Sequence, residues 1–169
     1  MTTRSKATTS QIDDVFYDTN EEFTEDSDNE TDDHGNLKGF THTDHDHKKQ
    51  PLHTIFMLFG LPKIEFEGAL AHELMHVWLF ERQVRLSLRE IEGFCNLGNY
   101  LVFSRKPSPM ASYLLKNLQT DDDPIYGGGY RLMRKHLDAH GWENLLAKFG
   151  PAPVSTPKKK FRLLMFGNK

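Results

Sequence analysis

The residues with the clearest chemistry are His72, Glu73 and His76, which spell HExxH inside the run LAHELMHVWLF from Leu70 to Phe80. On a helix, two histidines four residues apart stand one turn above each other on one face. At that spacing two imidazole nitrogens can hold one zinc ion. Glu73 lies about 100° round the helix from His72 and about 60° from His76, beside a metal rather than under it. A carboxylate in that place can take a proton from metal-activated water as general base.

The neighbours make helix the comfortable reading. Leu70, Leu74, Val77 and Trp78 cover the face opposite the histidines, and Met75, Leu79 and Phe80 flank them. A helix apolar nearly all round is expected to be buried. Buried imidazoles and a buried carboxylate need partners, because unpaired polar groups cost kcal/mol each. A metal would supply them; a core helix with two hydrogen-bonded histidines is the plainer alternative.

A catalytic zinc usually has three protein ligands. Glu90 and Glu92 stand just downstream. Ser87 with Glu90 three residues on forms a capping box, which occupies Glu90 and leaves Glu92 free. Glu92, Asn96, Asn99 and Phe103 share one helical face, with Phe94, Leu97 and Leu101 on the other. This fits Glu92 as a third metal ligand, with Asn96 or Asn99 as donors behind it. Gly93 would let the two helices approach closely. The alternatives are a solvent-facing Glu92 and amides with simple surface or inter-helix roles.

The wider chain bounds the setting. Its 169 residues allow one domain with a real core plus a tail, and a net charge of −3 gives no global nucleic-acid signal. With Cys95 as its one cysteine, it has no disulfide framework and no cysteine-based zinc module. No secretory signal and no bilayer-spanning run is visible, so a cytoplasmic location is expected.

Residues 1–50 read as an acidic, disordered segment, ordered only where Phe40 and its neighbours touch the domain; Asp13 to Asp33 contains no Lys or Arg. His42, His45 and His47 could bind metal weakly, though a solvated polar loop is the simpler reading. Residues 51–153 form the expected domain: a strand over 53–59, helices over 66–82, 87–104 and 110–118, a loop over 121–129, and helices over 130–139 and 142–149. Residues 154–169 form a basic and apolar tail that could contact an anionic surface, or lie loose, or pack late as a strand.

Three blocks, GLPKIEFEGALAHELMHVWLF, REIEGFCNLGNYL and QTDDDPIYGGGYR, resemble in order the C-terminal peptidase region of the DA-one family. Its members are ubiquitin-activated zinc peptidases that limit organ growth in plants, with bacterial relatives. The resemblance spans about Leu52 to Phe149. It implies His72, His76 and Glu92 as zinc ligands and Glu73 as the catalytic base. It also implies a small α+β, zincin-like domain, mostly helical with a short antiparallel sheet. One cysteine rules out the LIM module of the plant proteins in these residues, and the acidic segment lacks a ubiquitin-interacting helix. Activation by ubiquitin is therefore not carried over.

The function expected is zinc-dependent hydrolysis of peptide bonds in a protein or peptide substrate. The alternatives are an inactive zinc-bound interaction module and a metal-dependent hydrolase of non-peptide amides. A regulatory partner could act through the acidic N-terminus. Tyr126, in a glycine-rich loop, is the best donor for a developing oxyanion, ahead of Tyr130, His136 and His140; it could also be a packing tyrosine. The strand Thr54 to Phe59 could take an extended substrate by strand addition.

Overall fold

A computed structural model describes residues 37–44, 51–150 and 160–167. The disorder expected of residues 1–36 and the metal reading of His45 and His47 lie outside the described residues. The elements are β1 (Gly39–Asp44), β2 (Leu52–Leu58), α1 (Lys63–Glu81), α2 (Leu88–Arg105), α3 (Pro109–Thr120), α4 (Tyr126–Ala147) and β3 (Lys160–Phe166). The result is a mostly helical α+β domain with a three-stranded sheet.

Local chemistry sets the helix ends. Gly60, at φ 89°, turns the chain out of β2, and Pro62 opens α1. α1 closes in a Schellman arrangement: the Val84 N–H donates to Leu79 O and the Gln83 N–H to Phe80 O, with Gln83 in the left-handed region at φ 52°. The Ser87–Glu90 capping box starts α2 as the sequence predicts. Ser108 caps α3 through the Ala111 N–H, with Pro109 in the first turn. The two short helices expected at 130–139 and 142–149 are both present as the two stretches of α4, the first of which starts earlier, at Tyr126. Gly141 breaks α4 with φ 74° and ψ 172°.

The sheet order is β1-β2-β3. β1 pairs antiparallel with β2, Thr41 opposite Ile55. β2 pairs parallel with β3, Ile55 opposite Leu163, so the sheet is mixed rather than purely antiparallel. A parallel pair needs a long crossover, and here all four helices lie between β2 and β3 in the chain. Both outer strands come from residues outside the 51–153 span. Thr54 to Leu58 cannot accept a substrate strand, because β2 is hydrogen-bonded on both sides; among the described residues the edges belong to β1 and β3.

Ile55 and Met57 of β2 pack with Ala69 and Val77 of α1, and this small core fixes α1 on the sheet. α2 runs between α1 and α4 and is buried on both faces, with Glu92 and Asn96 as well as Phe94 and Leu97 inside. The larger core joins Leu79, Phe94, Leu97, Tyr130, Met133, Leu137 and Leu145. α1 is embedded less completely than its composition suggests, since Leu74 and Phe80 are exposed.

Close helix approach uses glycines, at other positions than expected. A Cβ on Gly98 would lie 2.9 Å from the Ala71 carbonyl, and one on Gly68 would strike the Phe103 ring, so these two let α1 and α2 meet. Gly93 faces α4 instead, where an added Cβ would lie 2.2 Å from Gly129 O. The reason is angular: residue 93 is turned about 100° from Glu92, away from α1.

Candidate metal centre

α1 and α2 bring the three expected ligands to one point. His72 Nε2 lies 3.1 Å from His76 Nε2 and 3.3 Å from Glu92 Oε2, and His76 Nε2 lies 3.5 Å from Glu92 Oε1. A tetrahedral metal with bonds of about 2.0–2.2 Å spaces its ligand atoms about 3.3–3.6 Å apart. Two imidazoles and a carboxylate at 3.1–3.5 Å come within a few tenths of an ångström of the spacing a zinc ion needs. Among the described residues, buried Glu92 Oε2 accepts no hydrogen bond, which is the state a ligand atom has when its partner is a cation.

Hydrogen bonding behind the histidines supports this fit. Asn96 Nδ2 donates to Tyr126 O at 3.3 Å, so its Oδ1 points at His72 Nδ1, 3.0 Å away. That oxygen can only accept, so Nδ1 carries the His72 proton and Nε2 presents its lone pair to the centre. Asn99 Nδ2 donates to the same Asn96 oxygen at 3.1 Å. Asn96 is the nearer partner of His72; Asn99 steadies Asn96, and its Nδ2 also lies 3.4 Å from His72 Nδ1.

Charge is consistent with this geometry. Burial opposes ionisation of Glu92, but the His72 and His76 imidazoles outweigh it and hold the carboxyl down to about 2. Burial pulls His76 down, yet the Glu92 and Glu73 carboxylates raise it overall. His72, His76 and Cys95 also form a group whose ligand atoms lie within 4.8 Å of one another, a spacing that could hold a metal. In the metal-free chain, burial, then the Glu92 and Glu73 charges, push the Cys95 thiol well up. Glu92 is the better third member on distance.

Glu73, Glu92, His76 and Tyr126 line one cleft of about 510 Å³, together with Thr41 and Phe40 of β1 and an apolar wall that includes Val77, Val84 and Ile91. Glu73 is buried and its Oε2 accepts a 2.8 Å hydrogen bond from Thr41 Oγ1. Thr41 has no counterpart in the expectations from sequence. The signal was the alternation of GFTHTD, masked by the polar residues around it. Tyr126 stands at the first position of α4, not in a loop. Asp123 Oδ1 accepts from the N–H groups of Ile125 and Tyr126, which sets the turn into the helix. Burial first, then the Glu92, Asp123 and Glu73 carboxylates, raise the Tyr126 phenol, so it remains a donor.

The weaker candidates sit elsewhere. Tyr130 is buried in the core. His136 contacts Lys148 Nζ at 3.2 Å, and exposed His140 faces His136 on the same helix. His42 stands exposed on β1. No helix of the described residues is long and apolar enough to cross a membrane.

The fold and site thus define a small α+β domain with a candidate metal centre between an HExxH helix and a second helix that supplies a carboxylate. The DA1-like family model, described as Protein DA1, matches residues 27–104, a span that contains His72, Glu73, His76 and Glu92. Protein DA1-related 7 of Arabidopsis thaliana is 29% identical over 124 residues, covering 54% of this chain and 22% of that protein. The LIM domain-containing protein HDR3 of Oryza sativa subsp. japonica is 42% identical over 59 residues, covering 34% and 12%. Protein DA1 of Arabidopsis thaliana is 26% identical over 121 residues, covering 54% and 23%. Over residues 27–104, a little under half of its length, the chain is similar to the DA1-like family. It spans less than a quarter of the length of these curated relatives. No solved structure matches the chain.

Proposed function

We propose that the chain is a zinc-dependent peptidase acting on the peptide bonds of protein substrates. The observation that carries this reading is the convergence of His72 Nε2, His76 Nε2 and the Glu92 carboxylate at 3.1–3.5 Å, with Glu73 on the wall of the same cleft. His72, His76 and Glu92 would hold the zinc. When bound, zinc lowers the pKa of water toward neutrality and polarises a carbonyl.

The chain's own residues supply the rest. Glu73 accepts the proton of the attacking water and returns it to the leaving amine. Asn96 keeps His72 in the tautomer that offers Nε2 to the metal. Tyr126, protonated and on the cleft wall, donates to the oxygen that gains charge as the carbonyl is attacked. Among the described residues β1 is an edge strand, and it lines the cleft, so an extended substrate can add to it as a further strand, with backbone hydrogen bonds setting its direction. The apolar wall of Val77, Val84 and Ile91 accommodates an apolar substrate side chain.

Glu73→Gln tests the reading. Zinc content of the full chain, measured by elemental mass spectrometry, is expected to stay near one per chain. Turnover of a quenched-fluorescence peptide library is expected to fall at least about a hundredfold, the usual scale of general-base catalysis. Equal turnover by wild type and variant would overturn the assignment. Zinc binding with no turnover by either would leave an interaction module.

A further inference from the structure

We propose that Thr41, carried on edge strand β1, is the positioning residue for Glu73; the inference rests on the peptidase reading of the same cleft. Thr41 Oγ1 lies 2.8 Å from Glu73 Oε2 and 3.4 Å from Glu73 O. A hydroxyl has one proton, and the shorter contact to a carboxylate takes it. One oxygen of Glu73 is thereby committed to Thr41, and the other is left to handle the proton of the reaction. Glu73 is only 6% exposed, so bulk water is a poor substitute for the hydroxyl. The carboxylate would otherwise be free to swing about its three side-chain torsions, and a fixed base is worth more than a mobile one.

The strand is built to deliver this contact. Gly39, Thr41 and Thr43 share the face of β1 turned toward the cleft. A Cβ on Gly39 would stand 3.3 Å from Glu73 Cγ and 2.9 Å from Met57 Sδ, so the glycine lets β1 close onto the helix. Thr43 Oγ1 meets His53 Nδ1 at 2.9 Å and ties β1 to β2. Lys38 and Glu65 pair at 2.6 Å and tie the start of β1 to α1. Thr41 is thus held from both sides. A partner or substrate that moves β1 would move the base, and the metal ligands on α1 and α2 would stay in place.

The test uses the full chain with Thr41→Val, which keeps shape and removes the hydroxyl, and Thr41→Ser, which restores it. Thr41→Ala replaces the valine variant if that one does not fold. The first readout needs no activity. In protein labelled with ¹³C at glutamate Cδ, the Glu73 resonance, identified by its loss in Glu73→Gln, is expected to move in the valine variant at fixed pH and return in the serine variant. Zinc content should not change. The second readout is turnover of the peptide library: kcat falls by about tenfold to a hundredfold with KM within about twofold, and serine restores it, as for loss of one hydrogen bond to a charged group. An unmoved resonance, or a serine variant that behaves like valine, overturns the proposal. If wild type cleaves nothing, the peptidase reading fails, and the resonance alone decides whether Thr41 positions Glu73.

Discussion

Replacing Gly127, Gly128 and Gly129 by alanine, one at a time, should give effects of opposite sign from chemically identical changes. All three lie in the first turn of α4. Alanine in place of glycine in a helix stabilises by up to about 1 kcal/mol. At Gly128 the new Cβ would find its nearest neighbours, Arg89 Nη2 and Asp123 O, at 3.5 Å, which is ordinary contact. The propensity gain survives there, and Tm should rise by about 2–4 °C. At Gly129 the Cβ would sit 2.2 Å from Arg89 O, and that oxygen must retreat by about 1.2 Å to reach 3.4 Å. The oxygen is helix backbone, so α2 and α4 must separate. Overpacking of this kind costs about 1–3 kcal/mol, occasionally more, and exceeds the propensity gain. Gly127 is crowded too, 2.0 Å from Asp121 O, but against a loop that yields more readily than a helix. Separation of α2 from α4 also strains the 3.3 Å bond from Asn96 to Tyr126 O, so the Gly129 variant should lose zinc affinity as well as stability. Thermal unfolding by circular dichroism, with zinc titration, reads both effects. A Gly128 variant as unstable as the Gly129 variant, or a Gly129 variant at or above wild type, would refute the packing argument.

Two further outcomes follow from the centre itself. Asn96→Ala removes the acceptor that fixes the His72 tautomer and should weaken zinc binding about tenfold to a hundredfold, read by competition with a chelating dye; unchanged affinity would remove Asn96 from the centre. In the metal-free chain, the raised His76 pKa contributes stability below its unfolded value near 6.5 and loses it as pH rises through the folded value. The depressed Glu92 pKa contributes above about 4.5, and this is lost as pH falls toward about 2. Zinc needs unprotonated imidazoles, so the Tm gain on adding zinc should be larger near pH 8 than near pH 5.5. Differential scanning fluorimetry with and without chelator checks this, and equal gains at both pH values would show that neither imidazole is a ligand.

The local features are legible in the sequence alone. HExxH on an apolar run defines a helix with two histidines on one face. Ser87 and Glu90 define where α2 starts, and that assignment frees Glu92. Such signals act within one or two turns, where spacing along the chain equals geometry in space. Features that join distant segments emerge only when the chain is packed. β1 and β3 are short and flanked by charged, polar stretches, so their pairing with β2 has no local mark; the partner strands supply the missing hydrogen bonds. Gly93 and Gly98 look alike in sequence, and only the packing of α1 and α4 on opposite sides of α2 assigns them to different contacts. Thr41 stands 32 residues from Glu73 along the chain, and the closure of β1 over α1 makes them neighbours.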